Sequence, residues 1–202
     1  FDSQQLAMLA NGASKCGIEL CQKIMEKLIG QIDGNIFTSQ GLAMLANGAS
    51  KCWTVLCQQI MTKLKVQIDG NEFKSQELAM LANGASKCGT GLCQEIMTKL
   101  KDQIDRKKFE SQHLAMLANG ASKCGTELCQ EIMTKLIGQI DEEKFNAMDI
   151  AMLVNGASKC GTELCQKIIE KLIEQIDGNV FKSQELAMLA NGASKCGAEL
   201  CQ

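Results

Sequence analysis

Leu78-Ala79-Met80-Leu81-Ala82-Asn83-Gly84-Ala85-Ser86-Lys87-Cys88 decides how this chain is read. The stretch returns almost letter for letter from Leu6, Leu42, Leu114, Ile150 and Leu186, each copy 36 residues after the last. Five full units span 1–36, 37–72, 73–108, 109–144 and 145–180, and a partial sixth covers 181–202. A fixed period of about 20 to 50 residues marks stacked repeats, because one supersecondary unit buries its apolar face only against its neighbours. All 202 residues therefore form one tandem array.

Within the third unit, Ser75 is placed to cap a first helix running through about Lys87, with Gln76 and Glu77 in its first turn. Leu78, Ala79, Leu81, Ala82 and Ala85 supply its apolar stripe. Cys88-Gly89 ends it, and Thr90 is placed to cap a second helix that reaches about Ile104 and buries Leu92, Cys93, Ile96, Met97, Leu100 and Ile104. Asn83-Gly84 is also a turn signal, so an earlier break with Ser86 capping a longer second helix is the alternative. Thr at the Thr90 place in four of six units favours the later turn. Gly84 is then a point of close approach for a helix or ligand, since glycine inside a helix otherwise costs about 1 kcal/mol relative to Ala. Trp53 stands where the other five units have Gly, so that place does not demand a positive φ. The predicted fold is all-α: a right-handed α-solenoid of 36-residue helix-turn-helix repeats.

Hydrophobic residues make up 46% of the chain, enough for a continuous core, and the formal charge is −2. Strongly basic nucleic-acid binders show an obvious excess of Lys and Arg, which is missing here, although a solenoid can be basic on one face and acidic on another. Twelve cysteines fall two per repeat, as at Cys16 and Cys21. Helical units able to build a core do not require staples, so the cysteines read as small buried hydrophobes in an intracellular, reducing compartment, the cytoplasm or a host cell. A zinc site needs more ligands than a lone Cys-x4-Cys pair offers, and no cofactor or metal is expected. No apolar run approaches the roughly 18 residues of a membrane span, and no membrane partner is expected. The chain begins without Met and stops inside a repeat, so further repeats or domains outside it are expected.

The six copies separate positions held for packing from polar positions held for another reason. Lys15, Lys51, Lys87, Lys123, Lys159 and Lys195 are identical, as are Asn11, Asn47, Asn83, Asn119, Asn155 and Asn191. Gln4, Gln40, Gln76, Gln112 and Gln184 recur, with Met148 in the remaining copy, and Met8 recurs in all. At helical spacing Gln4, Met8, Asn11 and Lys15 form one stripe, which stacking turns into parallel ladders. The lysines suit phosphates; Asn and Gln suit bases or sugars, or else the backbone of the neighbouring unit. A second ladder, Lys27, Lys63, Lys99, Lys135 and Lys171, reads as a solvated outer face.

Variation concentrates early in the first helix. One site reads Gln5, Gly41, Glu77, His113, Asp149 and Glu185; three places earlier the chain reads Asp2, Thr38, Lys74, Glu110, Asn146 and Lys182. These sites are one turn apart, and a variable pair on a fixed scaffold is how one-base-per-repeat readers are built, although surface drift gives the same appearance. His113 is the lone histidine, so no nucleophile–His constellation can repeat, and no glycine-rich phosphate loop follows a strand. An enzyme is not expected.

Phe73-x-x-Gln76-x-Leu78-Ala79-x-x-x-Asn83-Gly84-Ala85-Ser86-Lys87 resembles the octotricopeptide-type repeat of organellar RNA-binding proteins. Ser50-Lys51-Cys52-Trp53 is similar to the SKWP-type repeat of bacterial effectors, with Cys-Gly in the other units where that family has Trp-Pro. TAL-effector repeats are a more distant likeness; they vary the residues beside their Asn, whereas Asn-Gly-Ala-Ser-Lys is identical in all six copies here. These resemblances imply a nucleic-acid partner, RNA favoured over DNA, held in a groove lined by first helices. The alternative is a protein partner bound by an interaction scaffold or effector repeat domain.

Overall fold

A computed structural model of the chain describes residues 1–196. Among them are eleven α-helices and one short 3-10 turn, Ile140–Glu142. The first helices of the repeats are α1 (Ser3–Ala13), α3 (Ser39–Ala49), α5 (Ser75–Ala85), α7 (Ser111–Ala121), α9 (Ala147–Ala157) and α11 (Ser183–Ala193). The second helices are α2 (Ile18–Ile32), α4 (Thr54–Lys65), α6 (Thr90–Ile104), α8 (Thr126–Ile137) and α10 (Thr162–Asp177). The chain divides into two compact units, Phe1–Lys107 and Lys108–Gln202. Each is an all-helical stack of hairpins.

The hairpin boundaries lie close to those expected, one residue out at both caps. Lys74, not Ser75, is the N-cap of α5, and Gly89, not Thr90, is the N-cap of α6. The first helix ends at Ala85 rather than Lys87, because Ser86, Lys87 and Cys88 form a tight turn stitched by Lys87 N–H to Gly84 O and Cys88 N–H to Ala85 O. That turn excludes the longer second helix starting near Ser86. Trp53 caps α4 with φ −63°, while Gly125 and Gly161 at the same place in the second unit take φ of +88° and +113°. The place tolerates either backbone, and glycine is needed only where φ is positive.

In each unit the first helices pack on one another as a layer, with the second helices as a looser layer beside them. The close layer follows from small residues. A Cβ placed on Gly156 would lie 2.9 Å from Ala118 O, and one on Gly48 would lie 2.8 Å from Ala10 O. Gly84 is a helix–helix contact of the same kind, on Ala46. Leu6, Leu42 and Leu78 in one unit, and Leu114 and Ile150 in the other, are wholly buried between the layers. Burying such a side chain stabilises by about 1.5–3 kcal/mol, so the repeating stripe is the main source of cohesion.

A fixed glutamine closes the hairpins of the second to fifth repeats. Gln103 Oε1 accepts from Phe73 N–H at 2.8 Å, and its Nε2 donates to Asn71 O at 2.9 Å. Gln67 does the same for Phe37 and Asn35, and Gln175 for Phe145 and Glu143. The chain entering each repeat has no helix to satisfy its backbone, and this side chain supplies the missing partners.

Candidate nucleic-acid interface

The turn after each first helix sets the position of one lysine. Lys15, Lys51, Lys87, Lys123, Lys159 and Lys195 each donate a backbone N–H to the glycine carbonyl three residues earlier, at 3.1–3.2 Å. All six side chains are exposed, and none has an ion-pair partner among the described residues. The second lysine ladder differs. Lys63 pairs with Asp33, Lys99 with Asp69 and Lys171 with Asp141, each aspartate lying in the preceding repeat. The two ladders differ in their partners: Lys63, Lys99 and Lys171 are neutralised along the seam of the second helices, whereas the Lys15 series is left open.

The open ladder is also where positive charge collects. From the serine that begins the first helix, or its counterpart Ala147, through the lysine, the six copies hold six lysines and three carboxylates: Glu77, Asp149 and Glu185. Those three are 4–8% exposed. A chain of net charge −2 thus carries a locally cationic edge, because its other acids cluster on the second helices and the turns between repeats. The helix C-terminus itself favours a nearby cation, which accounts for one lysine per helix without any ligand.

Gln4, Gln40, Gln76, Gln112 and Gln184 are exposed along the same helices, as is Met148. Met8 is exposed and Met44, Met80, Met116, Met152 and Met188 are half-buried. Between α1 and α3 a cleft of about 600 Å³ is lined by Gln4, Met8, Gln40 and Met44, among others. The asparagines face the seam instead. Asn47 Nδ2 donates to Ser14 Oγ at 3.0 Å, Asn83 Nδ2 to Ser50 Oγ at 3.3 Å, and Asn191 Nδ2 to Asn155 Oδ1 at 3.2 Å. Asn11, Asn119 and Asn155 occupy the same place in their helices and are half-buried like Asn47 and Asn83, whereas Asn191 is exposed. The series ties first helix to first helix.

The variable pair is the cap of the first helix. Asp2, Thr38, Lys74, Glu110, Asn146 and Lys182 are its N-cap residues, all exposed. Gln5, Gly41, Glu77, His113, Asp149 and Glu185 stand three residues on. Glu77 Oε2 accepts from Lys74 N–H and Glu185 Oε2 from Lys182 N–H, both at 2.8 Å, and Gln5 Oε1 accepts from Asp2 N–H. Conversely, Thr38, Asn146 and Asp2 side chains accept from the backbone of Gly41, Asp149 and Gln5. The two sites vary together because several residue combinations satisfy the same orphan donors. His113 Nδ1 is 4.0 Å from Glu110 Oε2, and this nitrogen and Asp149 Oδ2 are buried without a hydrogen bond among the described residues. Burial pushes the Asp149 carboxyl above its ordinary range, opposed by the Asn146 backbone and His113.

No known protein family's sequence profile matches the chain, and no curated protein is detectably similar to it in sequence. The residues themselves carry the argument.

The cysteines require a correction. Cys129 is disulfide-bonded to Cys160 and Cys165 to Cys196, 31 residues apart in each case. The relevant pair is not the Cys-x4-Cys within one repeat but the second-helix cysteine of one repeat with the helix-end cysteine of the next. The expectation of unlinked thiols in a reducing compartment therefore fails at these four cysteines, while Cys16, Cys21, Cys52, Cys57, Cys88, Cys93 and Cys124 are free. The hairpin glutamines carry a sequence signal of their own, Gln-Ile-Asp near the end of all five full repeats, to which the expected sites assign no role.

Proposed function

We propose that the array binds a single strand of nucleic acid, RNA in preference to DNA, along the exposed sides of its first helices. The observation that carries this reading is the open lysine ladder, exposed in every copy, whereas Lys63, Lys99 and Lys171 of the companion ladder are ion-paired. Lys15, Lys51 and Lys87 hold phosphates in one unit, and Lys123, Lys159 and Lys195 in the other. The exposed glutamines reach sugars or base edges, a 2′-hydroxyl being the group that distinguishes RNA. The half-buried methionines give an adaptable apolar floor in place of aromatic platforms. Any base preference comes from the glutamines and the exposed N-cap residues, since the next variable site is turned into its own helix. The likeness to octotricopeptide-type repeats supports RNA.

Binding to random single-stranded RNA and to duplex DNA across a salt series tests this. Single strands give a slope of log affinity against log salt of about −0.7 per phosphate contact, so six lysines predict about −4 and one unit alone about −2. Replacing all six lysines by Ala should abolish the slope. Salt-independent binding, or none at low salt, would refute the reading.

A second reading, a protein-docking scaffold or effector arm, is favoured by Ile18, Leu20, Trp53 and Val55, all more than half exposed near the starts of α2 and α4. Loss of partner capture on Trp53→Ala, with no RNA binding, would select it.

A further inference from the structure

The second unit joins consecutive repeats covalently, and the first unit carries the same pairs of cysteines at the same repeat positions. In the second unit the bonded cysteines hold their Cα atoms 5.4 Å apart at both junctions, inside the range that an unstrained disulfide spans. In the first unit Cys21 Sγ lies 3.9 Å from Cys52 Sγ, and Cys57 Sγ lies 4.0 Å from Cys88 Sγ. Each pair is hydrogen-bonded thiol to thiol. Cys21 Sγ and Cys52 Sγ each lie 3.6 Å from Gly48 O, so the two sulfurs converge on one carbonyl. Cys57 and Cys88 converge in the same way on Gly84 O, at 3.6 and 3.7 Å. The spacing is again 31 residues, and the elements are again a second helix and the turn closing the next first helix.

We propose that Cys21–Cys52 and Cys57–Cys88 are disulfide-forming sites, so that every repeat junction inside each unit becomes a covalent cross-link in an oxidising thiol buffer. The oxidant is a small disulfide such as oxidised glutathione. A protein thiolate attacks one of its sulfurs and releases one glutathione thiol, leaving a mixed disulfide. The second protein thiol, as its thiolate, then attacks the protein sulfur of that mixed disulfide and releases the other glutathione. Two protein thiols are oxidised, one glutathione disulfide is reduced, and the two protons end on the released thiols.

The geometry also orders the steps. Cys21 and Cys57 are fully buried, whereas Cys52 and Cys88 are 9% and 8% exposed and are met first by a small disulfide. The hydrogen bond from Cys57 lowers the Cys88 thiol, so Cys88 is the attacking thiolate of its pair. Burial pushes the Cys52 thiol up to about 12. Lys51 and Lys87, the open-ladder lysines, stand in the same turns, next to Cys52 and Cys88. The cross-link and the phosphate ladder therefore share one turn, and the disulfide sets the step between successive lysines.

Refolding the reduced chain in a glutathione redox buffer, so that burial does not limit access, provides the test. Remaining thiols are then blocked with N-ethylmaleimide under denaturing conditions, and the digest is mapped by mass spectrometry. Peptides joined through Cys21–Cys52 and Cys57–Cys88 are expected beside those joined through Cys129–Cys160 and Cys165–Cys196, with maleimide on Cys21, Cys52, Cys57 and Cys88 falling from full occupancy to none. A Cys52→Ser variant should free Cys21 for labelling and leave the other three links unchanged. Full maleimide labelling of the first-unit pairs while the second-unit pairs are linked would overturn the proposal. So would links at a spacing other than 31.

Discussion

One glycine position supplies a test in which the same substitution has opposite signs in different repeats. Gly156 lies inside α9, and an added Cβ would meet Ala118 O at 2.9 Å, Ala118 C at 3.0 Å and Ala118 Cβ at 3.1 Å. All three are backbone or a methyl stub, so no flexible side chain can swing aside. Gly12 holds the same place in α1, and a Cβ there meets nothing within 4 Å. Replacing a helical glycine by Ala stabilises a helix by about 1 kcal/mol when the site is open. Forcing a methyl into a packed seam costs about 1–3 kcal/mol, so Gly156→Ala should end about 1 kcal/mol less stable after its helix gain is deducted. For a chain of this size that is a melting shift of roughly 2–4 °C, downward for Gly156→Ala and upward for Gly12→Ala. Thermal melts followed by circular dichroism, with hydrogen exchange on α9 to localise the change, would measure both. Equal stabilisation by the two substitutions would refute the close approach of first helices on which the packing argument rests.

The two lysine ladders separate in the same spirit. Lys63, Lys99 and Lys171 to Ala together should leave the salt slope of RNA binding unchanged and alter stability by less than about 1 kcal/mol per partly exposed ion pair, as read by urea titration. Gln103→Ala leaves the Phe73 N–H and Asn71 O without their partner and should cost about 1–3 kcal/mol, whereas Gln76→Ala on the exposed face should be neutral by the same titration. For Asp149, a raised carboxyl pKa means that the folded chain keeps the proton to higher pH than the unfolded one. Its contribution is fully favourable below the ordinary aspartate value of about 3.9 and is lost as pH rises through the raised value. Asp149→Asn should flatten that decline and raise stability at pH 7; a steeper decline in melts across pH 3–8 would contradict the burial argument.

The hairpin was legible in the chain because helix amphipathicity is local. Leu78, Ala82 and Ala85 declare a buried stripe by spacing alone, and a period of 36 declares that neighbours supply the covering surface. Gly84 was readable as a close approach, because nothing else excuses a glycine in mid-helix. The Lys15 series could be picked out by its invariance and the Lys27 series read as a solvated outer face, but identity across copies is silent about which acid meets which lysine. Stacking made that distinction by bringing Asp33 to Lys63 across 30 residues while leaving Lys51 open. It also set the cysteine pairing: the lateral offset of one hairpin on the next places Cys129 beside Cys160 rather than beside Cys124. The variable pair beside Gln4, open in the sequence to base reading or to surface drift, forms the cap of the first helix in the fold, because backbone donors at a helix start must be satisfied. Local periodicity is written along the chain, whereas the meeting of side chains from different repeats depends on how far each hairpin shifts against the last, which only packing decides.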